Sequence, residues 1–243
     1  MKTNKDWFRV LIVGCGQLGS RHLQAVASLP EVREIEVVDP RPEAFELGRQ
    51  RLAELPNGQC GTIFRWIRSV EEASKDGDLC VVTTQADVRC QVVYQVVDTL
   101  QYSSFLLEKL VAQSVLDYEN LLEFSKKKGL AVWVNCKTRV HPSHMQVKAH
   151  IDPAKPIIFS VVGGNHGLVN NGIQAADLFA YYDGANQIES AGAWIDPILH
   201  YSKRGRGLFD LSGSLNGYSE KGSRVAVCFA ADHDMRPIFW LAI

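Results

Sequence analysis

No two of the six cysteines are spaced as a C-x-x-C pair, which excludes a zinc ribbon and a dithiol redox centre. Cys15, Cys60, Cys80, Cys90, Cys136 and Cys228 are scattered, several of them in apolar strands, where a free thiol behaves as a small hydrophobe. That usage predicts a reducing, cytoplasmic setting and no metal site. No apolar run reaches the length needed to span a membrane. The first six residues lead straight into a strand without a cleavage region, so no signal peptide is expected. Neither sign of charge is in excess: 26 basic against 27 acidic residues gives a net charge of −1. No basic stripe is present, and nucleic acid is not an expected partner. Lys126, Lys127 and Lys128 precede Gly129 at the end of a predicted helix, where cations suit the helix dipole. Repeats, low-complexity tracts and flexible linkers are missing too.

What is present begins at the amino terminus. The apolar run Phe8–Val13 is followed by Gly14-Cys15-Gly16-Gln17-Leu18-Gly19, which opens a predicted helix over 17–29. A strand ending in Gly-x-Gly-x-x-Gly before a helix is a cradle for a dinucleotide pyrophosphate. The first helical N–H groups lack internal partners and point at the anion. A second predicted strand, 33–38, is closed by Asp39, twenty residues beyond Gly19. A carboxylate there accepts hydrogen bonds from ribose hydroxyls and repels a 2′-phosphate, which favours NAD. Arg41 could pair with a 2′-phosphate, so NADP stays open.

Strands near 8–13, 33–38, 62–66, 78–84, 104–108 and 130–135 alternate with helices near 17–29, 42–54, 69–75, 87–100 and 114–128. Runs such as Leu79-Cys80-Val81-Val82 predict strands buried on both faces. The reading is an α/β fold: a Rossmann doubly wound parallel sheet over residues 1–138 that binds the dinucleotide. Residues 139–243 then form an α+β domain with a mostly antiparallel sheet, for substrate and oligomerisation. In it, helices are expected near 142–151 and 172–182, with strands near 156–162, 187–195, 207–215, 224–231 and 238–243. The final strand is apolar and would pair with something, such as another subunit.

Three further segments lie at predicted strand ends: Val82-Thr83-Thr84-Gln85-Ala86-Asp87, Leu107-Glu108-Lys109-Leu110, and Asn135 to Pro142. With the glycine loop and Asp39-Pro40, this order resembles the Gfo/Idh/MocA family, the glucose–fructose oxidoreductase and inositol dehydrogenase group. The resemblance covers the first half well and the second half loosely. It implies a nicotinamide-dependent oxidoreductase acting on a carbinol carbon of a sugar, cyclitol or sugar-nucleotide-like substrate. It also implies that Lys109, from the Glu-Lys-Pro signature, contacts substrate and nicotinamide ribose. Relatives usually continue beyond the point where this chain ends.

Chemistry supports the same lysine. An ammonium at a buried strand end can stabilise a developing alkoxide, and burial beside a cationic nicotinamide lowers its pKa toward proton exchange near neutrality. Glu108 would help hold it, on the cofactor side. Leu110 replaces the signature proline, and a trans bond is expected because a cis leucine peptide costs about 2.5–4 kcal/mol. Thr83 and Thr84 either line the cofactor path or simply end a strand and cap a helix.

The family's second signature, an acid and a histidine four residues apart with a further acid after them, is replaced here. Asn170 stands for the acid and Gln174 for the histidine; Asp177 alone persists. Glutamine cannot take up a proton at neutral pH. His166, in a Gly/Asn-rich loop, is the candidate substitute proton carrier, with His141 and His144 weaker ones. Arg139 could grip an anionic substrate group or form an ion pair, and Asn170, Gln174 and Asp177 would orient substrate. The alternative function is a non-catalytic dinucleotide-binding sensor, regulator or complex subunit of the same fold.

Overall fold

A computed structural model describes residues 6–55, 61–164, 167–201, 209–231 and 236–243. The chain divides into two compact units, Met1–Asn135 and Cys136–Ile243. The first alternates β1 (Phe8–Val13), α1 (Gln17–Ala27), β2 (Val32–Val38), α2 (Pro42–Ala53) and β3 (Ile63–Ile67), then β4 (Leu79–Val82), α3 (Ala86–Leu100), β5 (Ser104–Leu107), α4 (Val115–Lys128) and β6 (Ala131–Val134). The six strands are all parallel and run β3-β2-β1-β4-β5-β6. That is the Rossmann order, and it reverses between β1 and β4, where such folds place their ligand.

Successive residues of a strand face opposite sides of the sheet, so β1 feeds two cores. Leu11 and Val13 pack with Val82, Val93, Val96, Leu100, Phe105 and Leu107. Val10 and Ile12 pack with Leu23, Ile35, Val37, Phe45 and Val81. Residues 10–13 of β1 and 80–82 of β4 are therefore apolar and buried on both faces, as the sequence predicted. Helix α4 ends on Gly129 at φ +64°, after three lysines in its last turn.

The second unit contains α5 (Pro142–Ala149), β7 (Ile158–Gly164), α6 (Leu168–Asp183), β8 (Glu189–Ile195), β9 (His200–Tyr201), β10 (Phe209–Asp210), β11 (Gly213–Tyr218), β12 (Arg224–Ala230) and β13 (Ile238–Ala242). Five strands form a sheet of order β13-β7-β12-β11-β8, antiparallel except for the β12–β7 pair. One face, with Phe159, Val161, Val225, Val227 and Phe229, is covered by Ala175, Leu178, Phe179 and Tyr182 of α6. The register puts Trp240, Ile158, Ile238, Val162, Cys228 and Trp194 on the other face.

Three expectations need correction. The helix expected over 69–75 is a single 3₁₀ turn, Val70–Glu72. So short a segment cannot offset the cost of helix nucleation. Helix α6 begins at Leu168, four residues before Gly172. The strand expected over 207–215 is described only as Phe209–Asp210 and then Gly213–Tyr218. Among the described residues, no helix is long and apolar enough to cross a membrane.

Candidate functional site

The glycine loop follows from its steric surroundings. Gly14 sits at φ +91°, where a side chain would be strained. A Cβ on Gly19 would fall 1.9 Å from the Gly14 carbonyl oxygen and 2.6 Å from Thr83 Oγ1, so only glycine lets α1 sit this close to β1. Gly16 is different. A Cβ there would meet nothing nearer than the Arg41 guanidinium, at 3.7 Å. Space above Gly16 is open, and no side chain caps the amino end of α1. An anion can therefore approach these backbone amides directly.

Asp39 is buried at the end of β2. Its Oδ2 accepts from the Cys15 amide at 2.8 Å and from Arg41 Nη2 at 3.1 Å; its Oδ1 accepts from the Arg41 amide and Nε, both at 3.0 Å. Burial would raise the Asp39 pKa, but the Arg41 guanidinium and the two amides outweigh it and hold the carboxyl below its ordinary value. The Arg41 side chain is exposed on its outer side and held on Asp39 through Nε and Nη2. Burial, with the Asp39 charge, pushes the Cys15 thiol up to about 11, so it stays neutral.

At the end of β4 the Thr83 hydroxyl bonds to the Gly14 carbonyl and ties the loop to the neighbouring strand. Thr84 Oγ1 is buried without a hydrogen-bond partner among the described residues, and the Thr84 carbonyl accepts from Arg89. An orphaned hydroxyl, open space over Gly16 and an uncapped helix start all fit a dinucleotide. Gln17 and Leu18 begin α1 beside that opening.

At the end of β5, Glu108 is 5% exposed and Lys109 is 7% exposed. The Lys109–Leu110 peptide is cis, which overturns the trans expectation; the intrinsic preference of an isolated leucine peptide does not decide the matter in this buried setting. Glu108 Oε1 accepts from His22 Nε2 at 2.7 Å and from Asn135 Nδ2 at 2.6 Å. Burial would raise the Glu108 pKa; these two bonds and the charges of His22 and Arg89 hold it below the ordinary value. Sequence reasoning missed His22 as part of this site. Nothing local marks it, since it meets a carboxylate 86 positions away.

In the second unit, each candidate substrate residue already has a side-chain partner. Arg139 Nε donates to Asp177 Oδ2 at 2.8 Å, and Nη2 donates to Oδ1. Thr138 Oγ1 donates to Gln174 Oε1 at 2.9 Å, and Asn170 Nδ2 donates to Asp210 Oδ2 at 2.6 Å. Asp210 also accepts from the Val169 amide at 2.8 Å and so caps α6. His144 contacts the Tyr182 hydroxyl at 2.5 Å, and His141 bonds locally to Ser143. His166 lies outside the described residues. The described cysteines are all free thiols.

Residues 8–136 match the family model GFO_IDH_MocA, described as an oxidoreductase family with an NAD-binding Rossmann fold. No curated protein matches the chain. Among solved structures, a putative myo-inositol dehydrogenase from Sinorhizobium meliloti 1021 superposes with a TM-score of 0.73 at 17% identity, over 95% of this chain and 72% of that one. GenD2 from gentamicin A biosynthesis, in complex with NAD, gives 0.75 at 17% identity, over 99% of this chain and 70% of that one. The WlbA dehydrogenase from Bordetella pertussis, in complex with NADH and UDP-GlcNAcA, gives 0.73 at 17% identity, over 94% and 74%. The shared fold, and a family match spanning more than half of its residues, place this protein: the chain belongs to the Gfo/Idh/MocA oxidoreductase family, with its NAD-binding Rossmann fold.

Proposed function

We propose that the chain is a nicotinamide-dependent dehydrogenase or reductase acting on a CH–OH group of a sugar, cyclitol or sugar-nucleotide-like substrate. The observation that carries the reading is the open backbone cradle over Gly16, flanked by the buried carboxylate of Asp39 and followed along the sheet edge by buried Lys109. Gly14, Gly16, Gln17, Leu18 and Gly19 would hold the diphosphate, Asp39 and Arg41 the adenosine ribose, and Thr83, Thr84 and Glu108 the remaining path. The bound dinucleotide would supply the hydride acceptor or donor. Lys109 would stabilise the alkoxide oxygen and exchange its proton. His166 is the candidate second proton carrier, because Gln174 cannot be one. Arg139, Asn170, Gln174 and Asp177 would orient substrate. We further propose self-association through the open face of the second sheet, where Trp194 is 71% and Trp240 is 68% exposed, and a cytoplasmic location.

A second reading, a dinucleotide-binding sensor or regulator, draws support from the second unit. Asn170, Gln174, Asp177 and Arg139 are all engaged with side chains of that same unit. Screening sugars, polyols and sugar nucleotides for NADH formation separates the two, with Lys109→Ala as control. Turnover lost in Lys109→Ala supports the enzyme. Firm cofactor binding without turnover on any substrate supports the sensor.

A further inference from the structure

One buried carboxylate joins three segments of the first unit. Glu108 follows β5, His22 lies within α1 and Asn135 follows β6. An ionised carboxylate only accepts hydrogen bonds, so the His22 Nε2 that lies 2.7 Å from Oε1 carries a proton. Asn135 Nδ2 reaches the same oxygen at 2.6 Å. The 3.4 Å between Asn135 Nδ2 and His22 Nε2 is then two donors side by side on one acceptor. Backbone bonds complete the junction: the Glu108 amide donates to the Val82 carbonyl at 3.0 Å, and the Asn135 amide to the Leu107 carbonyl at 2.8 Å.

We infer that His22 is a positioning residue: through the Glu108 carboxylate it fastens the helix of the dinucleotide loop to the strand end that carries Lys109. The inference rests on the reading of Lys109 as the reacting lysine. Helix α1 would present its start to the diphosphate, and Lys109 would have to meet the other end of the same cofactor. Misplacement by an ångström at such a point costs catalysis heavily. The only covalent path from α1 to Lys109 runs through four strands, whereas the His22–Glu108 bond spans the gap in one step. Glu108 is so buried that water does not readily replace the lost donor, and bonds to charged groups are the strong ones.

The test is acylation of Lys109 by an amine-directed reagent, read by peptide mass spectrometry with and without NADH, alongside thermal melts. His22→Ala is expected to raise the Lys109 acylation rate about tenfold and weaken its protection by NADH. His22→Gln keeps an N–H donor at similar reach and is expected to track the wild type. Glu108→Gln keeps the side chain's shape, removes its charge, and is expected to raise acylation; it carries the test if His22→Ala does not fold. Unchanged acylation in His22→Ala would overturn the inference. So would His22→Gln reacting as fast as His22→Ala with both melting like the wild type. Failure of the wild type to bind NADH would count against the cofactor reading alone, since the comparison without NADH tests the clamp by itself.

Discussion

The Cys15 amide donates to Asp39 Oδ2 at 2.8 Å, so the middle of the glycine loop is tied directly to the acid that ends the next strand. The loop that would bind phosphate and the residue that would bind ribose are thus joined directly by a hydrogen bond. Arg41 closes over the same carboxylate from outside.

On the proposed reading, cofactor choice would turn on that arginine. The Arg41 side chain is exposed while the Asp39 carboxylate is buried, so moving the guanidinium onto a 2′-phosphate would exchange one charge-assisted pair for another. A 2′-phosphate would gain charge-assisted hydrogen bonds from it, worth about 1.5–3 kcal/mol. Arg41→Ala is expected to weaken NADPH binding at least about tenfold and NADH binding much less, by fluorescence titration. Equal losses for both would show that Arg41 acts only by holding Asp39.

Two glycine substitutions should part company. In Gly19→Ala the new methyl collides with the Gly14 carbonyl, and overpacking of this kind costs about 1–3 kcal/mol or more. Thermal stability and NADH binding should both fall. Gly16→Ala adds a methyl that clashes with nothing and meets only the Arg41 guanidinium at 3.7 Å, so the melting temperature should hold while NADH affinity drops. A stable Gly19→Ala protein would contradict the steric account.

Acid should expose the buried carboxylates. Asp39 and Glu108 both have folded-state pKa values held below the ordinary range. Folding therefore favours their ionised forms. Their stabilisation is complete above the unfolded-state values, about pH 4, and is lost as pH falls through the lower folded-state values. In urea unfolding across acid pH, Glu108→Gln should show a shallower stability slope below about pH 4 than the wild type. An identical slope would contradict the assignment.

Much of the first unit was legible from its residues, because strand, glycine loop, helix and acid are a local order. What escaped was non-local. The start of α6 was read as loop because Asn170 and Asn171 are poor helix formers. The carboxylate of Asp210, some forty positions later, caps that helix from a separate strand. His22 gave no local sign of its tie to Glu108. Arg139 was open between substrate ligand and ion pair; it engages Asp177 through two nitrogens.

The open face of the second sheet predicts its own assay. Trp240→Lys places a charge on that open face, at the edge strand β13, without touching the face under α6. Sedimentation should show the wild type self-associated and the variant shifted toward monomer. A monomeric wild type would contradict self-association through this face.

The central claim is that the amino-terminal loop holds a dinucleotide on bare backbone amides. Titrating NADH into wild type, Gly16→Ala and Lys109→Ala tests it most directly. The account predicts saturable binding by the wild type, clearly weaker binding by Gly16→Ala, and binding kept by Lys109→Ala. No binding by the wild type at millimolar NADH, or equal affinity in Gly16→Ala, would contradict it.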